Sequence, residues 1–255
     1  MAAPVITLLT DFGTADGYVA EMKGVLTTLA PHASLLDMSH DVPAQDIEHA
    51  RLALARYWRR FPVGTIHVVV VDPGVGTARA AIAVHSDGRY LVGPDNGVLS
   101  PSLFALDARV ISLPINPHAS ATFHGRDVFA PIAAQLACGV DFDALGEPLY
   151  EPVRRRTPQP QRQPDGSLIG EVLTIDRFGN AITNLVAYAA HSRAATGVEI
   201  DGQFARMVRT YGDATSGELV ALIGSNGFVE IALRDGSAAD TFQLQRGERV
   251  VLHAN

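Results

Sequence analysis

The stretch TIHVVVVDPGVGTARAAIA, residues 65–83, limits what this chain can fold into more than any other. Its first half, 66–71, is a β-branched run ending at Asp72, with Pro73, Gly74 and Gly76 directly behind it. That is the pattern of a buried strand that delivers a carboxylate to an edge where the chain must turn. Asp72 is expected there as a presented group, not a packed one. Beyond the turn, Arg79 precedes a second small and apolar run reaching about residue 86, without a helix start signal. The unit reads strand, glycine turn, strand. A phosphate or dinucleotide loop needs a helix N-terminus after its glycines and a third glycine where Arg79 stands, so that class is set aside.

Residues 5–10 form another buried-strand run and end in Asp11, Phe12 and Gly13, a second carboxylate at a strand's carboxyl end. Ligands of open α/β sheets collect at such ends, so Asp11 and Asp72 are candidates for one crevice. Asp16 reads as the N-cap of a helix over 17–29, with Val19, Met22, Val25, Leu26 and Leu29 near helical spacing. A strand at 34–38 and a helix at 46–59 follow. Asp87-Gly88 marks a hairpin turn into a strand at 89–92, and 93–97 is a loop. After a strand at 110–113, the polar loop 118–127 feeds a helix over 128–138, with Asp127 near its cap.

Composition changes after Gly139, and 150–166 is rich in proline, arginine and glutamine, as a linker should be. The expected division is 1–149, a linker 150–166, and 167–255. The last part carries short β-like runs at 168–175, 181–185, 198–200, 205–208, 218–223, 228–233 and 249–252, with a helix hinted only at 186–195. The predicted architecture is an N-terminal α/β domain with a central, mostly parallel sheet and a smaller all-β C-terminal domain, barrel or sandwich. A length of 255 residues supports two such cores. Cys138 is the one cysteine, no apolar run approaches the ~20 residues of a membrane span, and the start has no secretory pattern. A net charge of −7 argues against nucleic acid as a partner. A cytosolic protein without a membrane partner is expected. The nine histidines show neither HxH nor HExxH spacing, so no metal site is expected.

Four segments, LLTDFGTADGYVAEMKG at 8–24, VVDPGVGTAR at 70–79, TFHGRDVFAP at 122–131 and DRFGNAITN at 176–184, together with SNGFVEIA at 225–232, occur in one order. With them the chain resembles the S-adenosylmethionine hydrolases that form adenosine, the hydroxide-adding branch of the family that includes the fluorinase and chlorinase. The resemblance implies the two-domain fold and a homotrimer, with active sites between the N-terminal domain of one subunit and the C-terminal domain of the next. It implies a reaction in which water displaces methionine from the ribose 5′ carbon. It places the water-activating set on Asp72, Arg79 and His124. It also implies that Asp11 holds the ribose hydroxyls, that Asp16 and Ser225 contact the methionine moiety, and that Asp176 meets its α-ammonium. Asn180 can present a donor and an acceptor together to an adenine edge, Phe178 and Tyr211 are candidates to stack on the ring, and by the resemblance Glu230 and the backbone near Ala232 fall in the adenine-facing segment. The extra N-terminal loop of the halogenating relatives is not found. Asn226 stands where the fluorinase-like pattern has arginine.

The chemistry required fits those residue types. A sulfonium releases a neutral thioether and needs no acid, so the difficulty is water, which must lose a proton as it attacks. Arg79 stays protonated and can only orient the water and stabilise hydroxide character. His124 or Asp72 takes the proton, and the sequence leaves both open. No cofactor is needed, since S-adenosylmethionine is the substrate. Read singly, each residue also has a plainer role: Asp72 and Asp11 as turn-forming Asx residues, Arg79 as a surface charge, His124 as an exposed imidazole, Asp16 as a cap, Tyr211 as core. Halide addition at the same carbon and noncatalytic binding of S-adenosylmethionine or adenosine are the rival functions.

Overall fold

The computed structural model of the chain describes residues 3–192 and 195–254. It divides into two compact units, Met1–Arg156 and Thr157–Asn255. The first contains β1 (Val5–Thr10), α1 (Tyr18–Leu29), β2 (Ser34–Ser39), α2 (Ile47–Tyr57), β3 (Ile66–Val70), β4 (Ala81–Ser86), β5 (Arg89–Pro94), β6 (Arg109–Leu113), α3 (Ala130–Ala137) and β7 (Glu147–Pro148). Its sheet has the order β2-β1-β3-β5-β4-β6-β7. Strand residues alternate between two cores, as a sheet covered on both faces requires. Ile6, Leu8, Ile66, Val68 and Val70 pack with Met22 and Leu26 of α1 and Ala133 of α3. Leu9, Val69 and Val71 pack with Ala50 and Leu54 of α2.

The sheet is mixed, not mostly parallel. β2, β1, β3 and β5 run parallel, whereas β4 is antiparallel to β5 and β6, and β6 to β7. The cause is the Asp87-Gly88 turn, whose two residues have φ of 47° and 68°. A two-residue loop of that kind joins only antiparallel neighbours. Two helix starts also differ from expectation. Gly17 (φ 79°), not Asp16, occupies the N-cap of α1, with no side-chain cap. The helix expected at 128 begins earlier, with a π-helical turn at Gly125–Phe129 that has His124 as its N-cap.

The second unit contains β8 (Gln161–Arg162), β9 (Leu168–Ile175), β10 (Ala181–Val186), α4 (Ala187–Ser192), β11 (Ala195–Ile200), β12 (Gln203–Met207), β13 (Leu219–Ile223), β14 (Phe228–Leu233), α5 (Ala238–Phe242) and β15 (Arg249–Ala254). Seven strands, β10-β14-β13-β12-β11-β15-β9, close into a barrel because β9 also pairs with β10. Closure removes the free edges. β8 pairs with β9 from within the stretch expected to be linker, and α5 is a short helix in the part expected to be all β. Of the helix expected at 186–195, residues 193–194 lie outside the described residues. Among the described residues no helix is long and apolar enough to cross a membrane.

His67 sits fully buried in β3, where its Nδ1 meets Thr7 Oγ1 at 2.7 Å and its ring packs on Tyr57 and Phe61. Nε2 has no well-formed partner. Burial, helped by the Arg89 charge and opposed by the Trp58 backbone, lowers its pKa to about 4. The unfolded chain takes up that proton near pH 6.5, so stability is complete above pH 6.5 and declines as pH falls toward 4. The decline should be about 3 kcal/mol in urea titrations across that range, and His67→Gln should remove that component.

Candidate active site

β1 and β3 are neighbours, with Thr10 opposite Val70, and their onward connections leave in opposite directions, to β2 and toward β4. This is the switch point of the sheet, where a crevice opens at the strands' carboxyl ends. Asp11 and Asp72 follow directly on these two ends. Asp11 Oδ2 accepts the Gln45 backbone N–H at 2.7 Å, and Gly13 N–H donates to the His40 carbonyl at 2.8 Å, which fixes the loop. Asp16 is exposed.

Asp72 is not the open carboxylate that its place before a turn predicts. Its side chain is only 5% exposed because Arg79 closes over it, itself 9% exposed. Arg79 Nε donates to Asp72 Oδ1 at 2.9 Å, and Nη2 donates to Oδ2. Nη2 also donates to His124 Nδ1 at 2.9 Å, and Nη1 to the Ala80 carbonyl at 3.2 Å. Four of the five guanidinium N–H groups are thereby engaged, leaving one on Nη1 among the described residues. The turn between the partners depends on Gly76, at φ 76°: a Cβ there would come within 2.5 Å of the Ala121 carbonyl. This close approach brings the segment leading to His124 against the turn.

His124 is also buried, 4% exposed. An arginine can only donate, so Nδ1 must be the acceptor and the ring is neutral with its proton on Nε2. Burial and then the Arg79 charge lower its pKa, against the pull of Asp72 and Asp127. Asp127 does not cap the helix. It accepts the Ser120 N–H at 2.8 Å and Arg126 Nε at 2.6 Å, tying the preceding loop to the π turn.

In the second unit, Phe178, Asn180 and Tyr211 line one cavity of about 380 Å³ together with Leu233, Arg234, Asp235 and Gly236. The loop carrying the first two is shaped by Asp176. Its Oδ1 accepts the N–H groups of Phe178 (2.8 Å) and Asn180 (2.9 Å), and its Oδ2 accepts Asn180 Nδ2 at 3.0 Å. The Asn180 amide oxygen takes no part in this network. Gly179 has φ 80° and lies where a Cβ would collide with Ser237, so α5 can seat on the loop. Phe178 is 75% exposed. The Tyr211 hydroxyl donates to Glu230, which is buried on β14 and reaches the cavity through that contact. Ser225, exposed in the β13–β14 turn, and Ala232, buried against Val220 and Leu222, do not line it. Residues 233–236 escape a reading of the sequence because a leucine, two charges and a glycine after a strand look like an ordinary turn. Among the described residues no group of three or more His, Cys, Asp or Glu could hold a metal.

The profile of the SAM hydroxide adenosyltransferase N-terminal domain matches residues 6–146, and that of the C-terminal domain matches 170–251. The chain belongs to this family of two-domain proteins. It is 42% identical to the (R)-S-adenosyl-L-methionine hydrolase of Salinispora arenicola, over 98% of this chain and 97% of that one. It is 41% identical to the enzyme of the same name from Thermus thermophilus, over 97% and 98%. The fluorinase of an Actinoplanes species matches at 26%, over 98% and 97%. In structure it is similar to a conserved Thermotoga maritima protein, with a TM-score of 0.89 and 32% identity over 97% of this chain and 99% of that one.

The Arg79–His124 contact has a direct spectroscopic consequence. The imidazole of His124 should titrate below pH 6.5 in NMR spectra of the native protein. In Arg79→Met, with that charge removed and Asp72 and Asp127 still facing the ring, the midpoint should move up.

Proposed function

We propose that the protein hydrolyses S-adenosyl-L-methionine to adenosine and L-methionine. Water oxygen bonds to the ribose C5′, the C5′–S pair goes to sulfur, and methionine leaves as a neutral thioether. The observation that carries this reading is the Arg79 fork, which binds Asp72 through two N–H groups and His124 through a third, at a sheet switch point in a chain of this family. Arg79 has one Nη1–H left to orient the water and stabilise hydroxide as it forms. His124 has its basic nitrogen occupied by Arg79, so it acts as a neutral prop for the guanidinium. The proton goes to Asp72, whose oxygens keep lone pairs that Arg79 does not use.

Binding follows the same division. Asp11 accepts the ribose hydroxyls, and Asp16 and Ser225 contact the methionine end. The cavity with Phe178, Asn180 and Tyr211 takes adenine, with the Asn180 oxygen toward the amino group and an aromatic face on the ring. Glu230 holds Tyr211, the backbone beyond Ala232 forms the far wall, and Asp176 adds its charge for the α-ammonium. The scheme requires neither metal nor cofactor. A cytoplasmic homotrimer, with the N-terminal unit of one subunit completing a site with the C-terminal unit of the next, belongs to the same proposal. It draws on the resemblance and is tested by mixing two inactive variants, Arg79→Met and Asn180→Ala: activity should return only in mixed oligomers.

The decisive experiment is incubation with each sulfonium epimer of S-adenosyl-L-methionine in oxygen-18 water, with and without chloride, followed by mass detection. Labelled adenosine plus methionine is expected, with the (R) epimer preferred, as the names of the Salinispora and Thermus enzymes have it. A chlorinated nucleoside would assign halogenation, and bound but unconverted substrate a sensor. Asp72→Asn should lower kcat by on the order of 100-fold or more, whereas His124→Gln, which can still accept from Arg79, should cost about tenfold or less. Turnover should fall on the acid side below pH 6.5, because protonated His124 cannot accept from Arg79.

A further inference from the structure

The segment 72–79 is tied at both ends to a dipeptide that takes no part in the chemistry above. β5 lies between β3 and β4, and directly beyond its end Asp95 and Asn96 span the gap between those strands. Asn96 Nδ2 donates to the carbonyl of Val71, the residue before Asp72, at 2.9 Å. The Asp95 backbone N–H donates to the carbonyl of Ala80, the residue after Arg79, at 2.9 Å. That same carbonyl receives Arg79 Nη1.

The dipeptide is itself braced. Asn96 Oδ1 accepts the Val98 N–H at 3.1 Å, and Asp95 Oδ1 accepts the Val153 N–H at 2.8 Å. Arg155 gives Nε to the Asn96 carbonyl at 3.0 Å and its backbone N–H to Ser100 Oγ at 2.8 Å. The Arg155 side chain lies over Gly97, where a Cβ would stand. The last residues of the first unit thus strap down the loop that holds the Asp72 turn.

We propose that Asn96 is a positioning residue for hydrolysis, setting through the Val71 carbonyl where the Asp72 carboxylate meets the Arg79 fork; this rests on the hydrolytic function proposed above. A two-point guanidinium–carboxylate contact tolerates little displacement, because both N–H groups must point at their oxygens together. Val71 is past the last residue of β3, so its carbonyl depends on the loop beside it for alignment. A shift of about 1 Å at such a site costs on the order of 100-fold in rate.

Two substitutions separate the role from general support. Asn96→Asp keeps an acceptor for the Val98 N–H but cannot donate to Val71. Asn96→Ser keeps a short hydroxyl for Val98, falls short of Val71, and adds no charge near Arg79. Both should lower kcat about 100-fold with KM within about twofold, measured per folded molecule. In Asn96→Ser the His124 NMR midpoint should also rise toward that of Arg79→Met, because the fork loosens. Either variant keeping native kcat, or an unmoved His124 midpoint in folded Asn96→Ser, would overturn the assignment. The two proposals fail separately. Native protein that releases no adenosine removes the hydrolytic reading, while the His124 titration, which needs no substrate, still decides whether Asn96 sets the fork.

Discussion

A guanidinium and a carboxylate, both almost withdrawn from water, can coexist in this fold only as each other's counter-ion. Removing one partner of such a pair leaves an uncompensated buried charge, at a cost of about 3–5 kcal/mol. Asp72 and Arg79 are seven residues apart across a glycine-containing turn, yet they land side by side because β4 runs back against β5 and starts at the edge where β3 ends. Had the sheet continued parallel, the strand start would lie at the opposite edge. The Asp87-Gly88 hairpin, remote from the site, is what makes the ion pair geometrically available. Once formed, the pair leaves a directed N–H for His124, and the π turn begins right at that histidine.

The second unit solves a different problem with similar means. A loop that has to present an amide and an exposed ring to a cavity needs its own backbone held without a ladder. Asp176 does this by collecting two backbone N–H groups and one side-chain N–H within five residues. The price is that little of its hydrogen-bonding capacity remains, so its charge, rather than its lone pairs, is what it can offer a ligand. Tyr211 is similarly committed through its hydroxyl, and desolvation of that hydroxyl, then the hydrogen bond and charge of Glu230, drive its pKa upward, so the phenol stays a donor. Both residues present faces and fields, not spare hydrogen bonds.

Much of this is legible in the sequence. Runs such as 66–70 and 228–233 declare themselves by β-branched content, and Asp11 and Asp72 by their place at strand ends. The rest is not legible, each part for its own physical reason. Sheet direction is set by the two-residue Asp87-Gly88 turn, which overrides the parallel pairing that the alternating strands and helices before it suggest. Asp16 looked like a cap because its neighbour Gly17, with no side chain to offer, takes that position through backbone freedom alone. Asp72 reads as open because its cover comes from a side chain seven residues on. α5 spans five residues, too few for a periodic signal.

The closed barrel sets a schedule for the chain during its synthesis. β15 fills the space between β9 and β11, joining residues 168–171 to 249–252. Until that last strand has left the ribosome, the second unit is an open sheet with two unsatisfied edges. The strand pairings of the first unit all involve residues before 149, so its sheet, with the strap at 153–155 next in line, can be assembled while the barrel is still waiting for its closing strand.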